Sequence, residues 1–492
     1  MLTPSQRVAA LAVATILLAT ACGSPAVSPG ASAGGVPSAG PPATQGPTAA
    51  PAQTFHVPEF EAAALRWFCC LGGGEDPSQV PTEEAVANDF ATRYPDSSLK
   101  FEVTTYNEAP QALSTQIAGG NSPDIAGPVG VGGIAQFEGQ WLDLTPYLTE
   151  SAYDLTQFPA NLVEFNQTSD GQIGVPFSLY PSVLWYLPEM FEEIGLAEPP
   201  HKYGEKYVMP DGTEVDWNYE TVREIAMLLT VDSEGRDATD PDFDADNIVQ
   251  YGFEPQRDDL RGLGSYFGAG SLDSGDGKTA AIPDAWEASW KWVYDGIWTD
   301  HFIMSDQTFD SDAIASGDQA FFSGKVAMST NFLWITYGLG ADYGETGGKW
   351  DIAAVPAYNG THTSPLNADT FAILQPSKNP DAAFAALAYL TGERGDELLT
   401  LYGGMPARES ERSAFLESLA ASDGFPEDAD WQVVSDSVQY ADVPNFEGAM
   451  PKYNQTNAIL GEYRSRWLTT DGLDIDAQIA QLLAEVQAEW DK

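Results

Sequence analysis

The stretch Leu65–Asp76 reads LRWFCCLGGGED, and the whole chain has one cysteine besides this pair, Cys22. Adjacent thiols can join as a disulfide or stay as two reduced, buried cysteines ending a strand. Across a trans peptide the Cα atoms stand about 3.8 Å apart, closer than ordinary disulfides prefer, so a Cys69–Cys70 bridge needs a tight bend. Gly72, Gly73 and Gly74 can supply that bend. Both readings stay open. Glu75 and Asp76 follow as carboxylates able to accept from hydroxyl groups.

Other chemistry is harder to place. His56, His201, His301 and His362 are never paired at metal spacing, and neither His-Glu-x-x-His nor Gly-x-Ser-x-Gly occurs. The run SGDGKT ends like a phosphate-binding loop, but Leu272 stands where that loop requires glycine. With 72 acids in the chain, a chance pair of carboxylates says nothing about glycoside hydrolysis. Asp232, Glu234 and Asp237 sit in an acid-rich loop that could hold calcium. Asp237 stands where an EF-hand requires glycine, so the alternatives are an irregular calcium loop and a solvated acidic one. No catalytic residue, cofactor or other metal site is expected.

The elements that must position these groups begin with a strand at Ala63–Phe68. A helix follows, with Val86, Phe90 and Tyr94 on one stripe, Glu83 and Glu84 in its first turn and Pro95 at its end. SLKFEVTTY alternates as a strand, PQALSTQIAGG reads as a helix closed by glycines, and PDIAGP as a buried strand before the Gly130–Gly133 turn. That order is a parallel α/β sheet, whose ligands bind at the carboxyl ends of the strands. Both glycine turns lie at such ends.

The ends and totals constrain the setting. Arg7, the apolar run Val8–Ala21 and then Cys22 have the form of a lipoprotein export signal; ordinary secretion with Cys22 lost is the alternative. Gly23–Gln53 holds no charge and little apolar bulk, which makes it a tether. Export would put Cys69 and Cys70 in an oxidising compartment. A net charge of −50 repels nucleic acid and anionic lipid. Aromatics are abundant beside glycines and prolines, among them Tyr106, Trp141, Tyr180, Trp334 and Tyr402. Such rings suit the C–H faces of sugars, and acids and amides suit the hydroxyls.

Seven phrases in order carry a resemblance: NSPDIAGPVGVGGIAQFEGQWLDLTPYL, GQIGVPFSLYPSVLWYLPEMFEEIGLAEPP, AFFSGKVAMSTNFLWI, WDIAAVPAYNG, ADTFAIL, PDAAFAALAYLTGERG and YGGMPAR. Together they resemble the sugar-binding extracellular solute-binding proteins of ABC importers, the family that includes maltose-binding protein. The resemblance implies a two-lobe α/β clamp of the periplasmic-binding-protein kind, crossed several times by the chain near Ile173–Pro176, Ser305–Ser311 and Tyr358–Leu366. It implies a signal peptide at 1–21, a lipid-anchored tether at 22–59, an N-terminal lobe of 60–174 plus 312–358, and a C-terminal lobe of 175–311 plus 359–492. The implied ligand contacts are Cys69, Cys70, Glu75, Asp76, Asp124, Tyr180, Asn331, Trp334, Asp369 and Tyr402, with Cys22 lipidated. The implied protein is a monomer on the outer face of the membrane, held there by its lipid alone. It would deliver a carbohydrate to permease subunits. A cationic or peptide solute is the second reading, and a secreted glycosidase the third.

Overall fold

The computed structural model describes residues 57–492 except 312–313, 315–318, 341–348 and 423. The export run, Cys22 and the Gly23–Gln53 tether lie outside the described residues. No helix among the described residues is long and apolar enough to cross a membrane.

Strand β1 (Ala64–Cys69) lies between β2 (Ser98–Val103) and β3 (Ile125–Gly130), parallel to both, with Leu65 opposite Leu99 and Trp67 opposite Ile125. Coverage on both faces explains why Trp67, Phe68 and Cys69 are consecutively buried rather than alternating. Helix α1 (Val80–Arg93) lays Val86, Ala87 and Phe90 on this sheet, and Tyr94 caps it before Pro95. Helix α2 (Ala109–Ala118) joins β2 to β3, and α3 (Val131–Gln136) starts where β3 stops. The first βαβαβ unit is therefore the one its periodicity predicts.

Two antiparallel strands extend this sheet. Leu366–Ile373 pairs with β3, Asp369 opposite Gly130, and its first half also pairs with Ser178–Pro181. The strand Ser178–Tyr186 then continues, and its second half, Ser182–Tyr186, pairs with Val326–Phe332. That strand runs parallel to Ile248–Pro255. The result is one ten-stranded mixed sheet with two ends, joined through the wholly buried strand Ser178–Tyr186. One lobe is built on β1–β3 and the other on Ile248–Pro255 and Val326–Phe332, each with its own core. Trp67, Phe90, Phe371 and Phe384 share the first. Tyr186, Trp217, Ile225 and Phe253 share the second.

This pairing differs from the expected boundaries. Val326–Phe332 and Asp351–Ala353 both pair with Ser178–Tyr186 in its second half, so these two strands fall with the second lobe, not with the N-terminal lobe expected for 312–358. Leu366–Ile373 falls with β3, not the C-terminal lobe. The short helix Asp306–Phe309 is no crossing: Arg257 and Arg464 both bind Asp306 from within the second lobe. The return is made instead by 441–450. Asp442 accepts the Leu366 N–H at 2.9 Å there, and the chain enters the helix Tyr453–Thr469. That helix, Asp284–Trp298 and Ile475–Trp490 bury Trp286, Trp290, Tyr463, Trp467 and Leu482 together.

Candidate functional site

The turn after β1 is built around the cysteine pair. Cys69 and Cys70 form a buried disulfide, their shared peptide is cis, and their Cα atoms lie 3.0 Å apart rather than at the trans spacing expected. Gly74 has φ +103°, and a Cβ there would lie 2.6 Å from a Glu83 carboxylate oxygen and 3.0 Å from the Cys69 sulfur. A Cβ on Gly72 would lie 2.7 Å from the Asp369 carboxylate. Glycine is what lets this turn lie against both acids. Glu83 is not the exposed first-turn acid its position suggests. It is fully buried, accepts the Tyr402 hydroxyl at 2.8 Å, and burial pushes its carboxyl up to about 7 despite that hydrogen bond.

Asp369 faces this turn from its own strand and accepts the Gly73 N–H at 3.2 Å. Burial raises it to about 6. Tyr180, two strands from β3, brings its hydroxyl over Gly73, 3.7 Å from where a Cβ would stand. Across the gap stand groups of the second lobe and the return segment. A Cβ on Gly130 would be 3.4 Å from Asp369 Oδ1 and 4.0 Å from Glu447 Oε2, and one on Gly132 3.0 Å from the Tyr453 hydroxyl. Asp259 caps the helix Leu260–Ser265 through the Arg261 and Gly262 N–H groups, and its other oxygen takes the Arg261 guanidinium at 2.8 Å. Burial, reinforced by the Asp258 charge, pushes Glu447 up to about 8. Asp258 is raised by burial and by Asp259. Tyr106 keeps 52% of its surface open, yet burial and the charges of Glu447 and Asp258 raise its phenol. It projects into the gap between walls that bear those acids. A cavity of about 390 Å³ adjoins them, lined in part by Val131, Phe165, Arg261, Trp286, Phe446 and Met450.

Of the expected contacts, Cys69, Cys70, Tyr180, Asp369 and Tyr402 come together here. Glu75 and Asp76 sit at the rim: Glu75 accepts the Tyr106 N–H and Asp76 the Ser78 N–H. Asp124 and Asn331 stand apart. Asp124 precedes β3, at the amino end of the strands, where it accepts the Arg66 N–H at 3.0 Å and the Ser377 hydroxyl at 2.6 Å. Asn331 is buried in its strand, bonded to Gln319 and the Phe332 N–H. Trp334, partly buried against Phe332, donates to Asn367 at 3.3 Å, and Asn367 pairs with Tyr180 two residues before Asp369, so this ring borders the cluster. Asp258, Asp259, Arg261, Glu447 and Tyr453 were missed. The only local signals were an N-cap acid pair ahead of Leu260 and an acid between Phe446 and Gly448.

Asp232, Glu234 and Asp237 are not among the groupings of described residues close enough to share a metal ion. Asp232 is covered by its own loop and accepts N–H groups of Glu234, Arg236 and Asp244 together with the Arg236 guanidinium. Burial alone would raise its carboxyl; these donors outweigh it and bring it to about 2. Asp237 likewise accepts the Thr239 N–H and hydroxyl. Among the described residues the metal-compatible groupings are Cys69, Cys70 and Glu83, and Glu198, His201 and Asp351. The first has its sulfurs joined to each other.

One mixed sheet whose two ends carry separate cores and share the strand Ser178–Tyr186 is a two-lobe architecture. The chain matches the model of the bacterial extracellular solute-binding proteins over residues 76–397, and it belongs to that family. Comparison with curated proteins finds no match. Solved structures share the fold. An ABC substrate-binding protein of Listeria monocytogenes in complex with cycloalternan superposes with TM-score 0.65 at 17% identity, covering 87% of this chain and 99% of that one. A sugar transporter of Rhizobium etli in an open conformation gives TM-score 0.63 at 18% identity, covering 87% and 100%. Maltose-bound MalE3 of T. maritima gives 0.61 at 17%, covering 87% and 100%.

Proposed function

We propose that this protein is the substrate-binding component of an ABC importer, held by a lipid on Cys22, that captures a carbohydrate between its lobes and hands it to permease subunits. The observation that carries the reading is the convergence, at the carboxyl ends of β1 and β3, of carboxylates and tyrosine hydroxyls, with a cavity lined by Phe165, Trp286 and Phe446 on the far side of Arg261. Carboxylates and phenols bind sugar hydroxyls, and rings cover the C–H faces. The cavity volume falls in the range of small-molecule sites, about 300–1,000 Å³. The sugars bound by structures of the same fold agree with it. The Cys69–Cys70 pair, buried beside Gly73, supports the turn on which Asp369 and Tyr180 converge. A thermal-shift screen of mono- and oligosaccharides tests capture: a saturable rise in melting temperature with at least one sugar, without turnover of it, is expected. Anchoring has its own test. Cys22→Ala expressed in the native host should appear in the medium, and retention of that variant at the membrane would remove the lipid anchor.

A further inference from the structure

The gap between the lobes is rich in acceptors and poor in donors. Asp369 accepts one hydrogen bond, from Gly73. Asp258 accepts one, from the Asp259 N–H at 3.0 Å. No described residue donates to the Glu447 carboxylate. The nearest cation is already committed: Arg261 gives Nε and Nη2 to Asp259 and its remaining contacts to the Gly448 carbonyl and the Tyr453 hydroxyl. Arg464, beside Asp258, is turned to the backbone carbonyls of Asp258 and Arg257 and to Asp306. Three carboxyl groups thus face one space with no cationic side chain bonded to them, and Asp369 and Glu447 both lie within 4.0 Å of one point above Gly130. An independent mark of an absent partner lies in the floor. Tyr180 is 4% exposed, and its hydroxyl, beside Gly73, Asp369 and Ser178, makes no hydrogen bond of ordinary geometry.

A neutral sugar brings donors to such a site but also an acceptor with every hydroxyl. A bare metal ion fits no better, because these three carboxylates are not among the groups close enough to share one. An alkylammonium supplies three donors, no acceptor and one positive charge. We infer that the solute is a carbohydrate bearing a basic nitrogen, an amino sugar or aminocyclitol glycoside, whose ammonium group sits among Asp369, Glu447 and Asp258 while a ring occupies the adjoining cavity. The inference rests on the carbohydrate reading above and sharpens it. The titratable and charged groups facing this position are Asp258, Asp259, Arg261, Asp369, Glu447 and the surrounding tyrosines 106, 180, 402 and 453, with Glu83 and Arg464 behind them. Burial holds the Glu447 proton to about 8 in the empty gap, so an arriving cation displaces it.

The test is titration calorimetry at about pH 5.5, where the probe amines are already protonated, in two buffers of different ionisation enthalpy. The probes are glucosamine and short glucosamine oligomers, their N-acetylated counterparts, and malto-oligosaccharides. The basic series should bind at least about tenfold more tightly than the acetylated one, the scale of one charged contact. Its binding should release protons, and Asp369→Asn with Glu447→Gln should remove the preference. Equal or tighter binding of acetylated or malto-oligosaccharides, without proton release, overturns the basic nitrogen and leaves the carbohydrate reading standing. Binding by no member of any series overturns both. The proton release of the unmodified protein decides the matter even if the double variant fails to fold.

Discussion

Glu83 holds a proton that a surface glutamate would have lost. Its carboxyl is raised by burial to about 7, against 4.5 for an ordinary glutamate. Between those values the folded chain binds more protons than the unfolded one, so this residue makes stability fall as pH rises across that window. The span corresponds to at most about 3 kcal/mol. Glu83→Gln keeps an acceptor for Tyr402 and removes the titration. Urea unfolding at about pH 5 and pH 8 should show the stability difference between the two pH values shrinking by about 2 kcal/mol in the variant. An unchanged difference would make Glu83 an ordinary surface acid. The same residue shows where sequence reading stops. In a first helical turn an acid looks like a partner for the helix dipole, and only tertiary packing brings Tyr402 from 319 positions away to bury it. Asp124 errs in the other direction: where Asp369 lies within its strand at the site, Asp124 adjoins β3 at the strand's amino end.

The Cys69–Gly74 turn positions everything on the first lobe's side of the gap. Gly74→Ala would combine a positive φ with a contact of 2.6 Å to Glu83. Gly120→Ala, after α2, has a positive φ of 66° but open space around it. Chemical denaturation should therefore show about 1 kcal/mol lost at Gly120, the left-handed penalty alone, and about 2–4 kcal/mol at Gly74. Equal losses would mean that the turn yields freely around Glu83. The turn was visible in the sequence because glycines and cysteines are rare signals with strong backbone consequences. The β1–β3 unit was visible because its helix stripe and strand alternation have different periods. The lobe boundary was not. Ser178–Tyr186 is buried throughout and carries no alternation to reveal that its two halves serve different partners. Asp258 and Glu447 escaped because they meet Asp369 only through the fold, from segments with no motif of their own.

Over the whole molecule, acids are carried inward as well as outward. Asp442 in the return segment and Glu254 in the second lobe are both raised by burial, to about 8 and about 7. Each adds to the trend set by Glu83. Together with a net charge of −50 this predicts a protein whose melting temperature rises as pH falls from about 8 to about 5 and rises with added salt. Calorimetric scans check it, and a flat or opposite pH trend would mean these acids are solvated. The two lobes share the long strands and the 441–450 return, so ligand capture should proceed by closure about those segments rather than by separation of independent domains. The central claim is capture of a carbohydrate in the gap between them. The direct test is titration calorimetry with the sugar that gives the largest thermal shift, on the unmodified protein and on Asp369→Asn. One saturable site per chain, weakened about tenfold or more by the loss of that one carboxylate, is the predicted result. Failure of every carbohydrate to bind, or an affinity indifferent to Asp369, would contradict it.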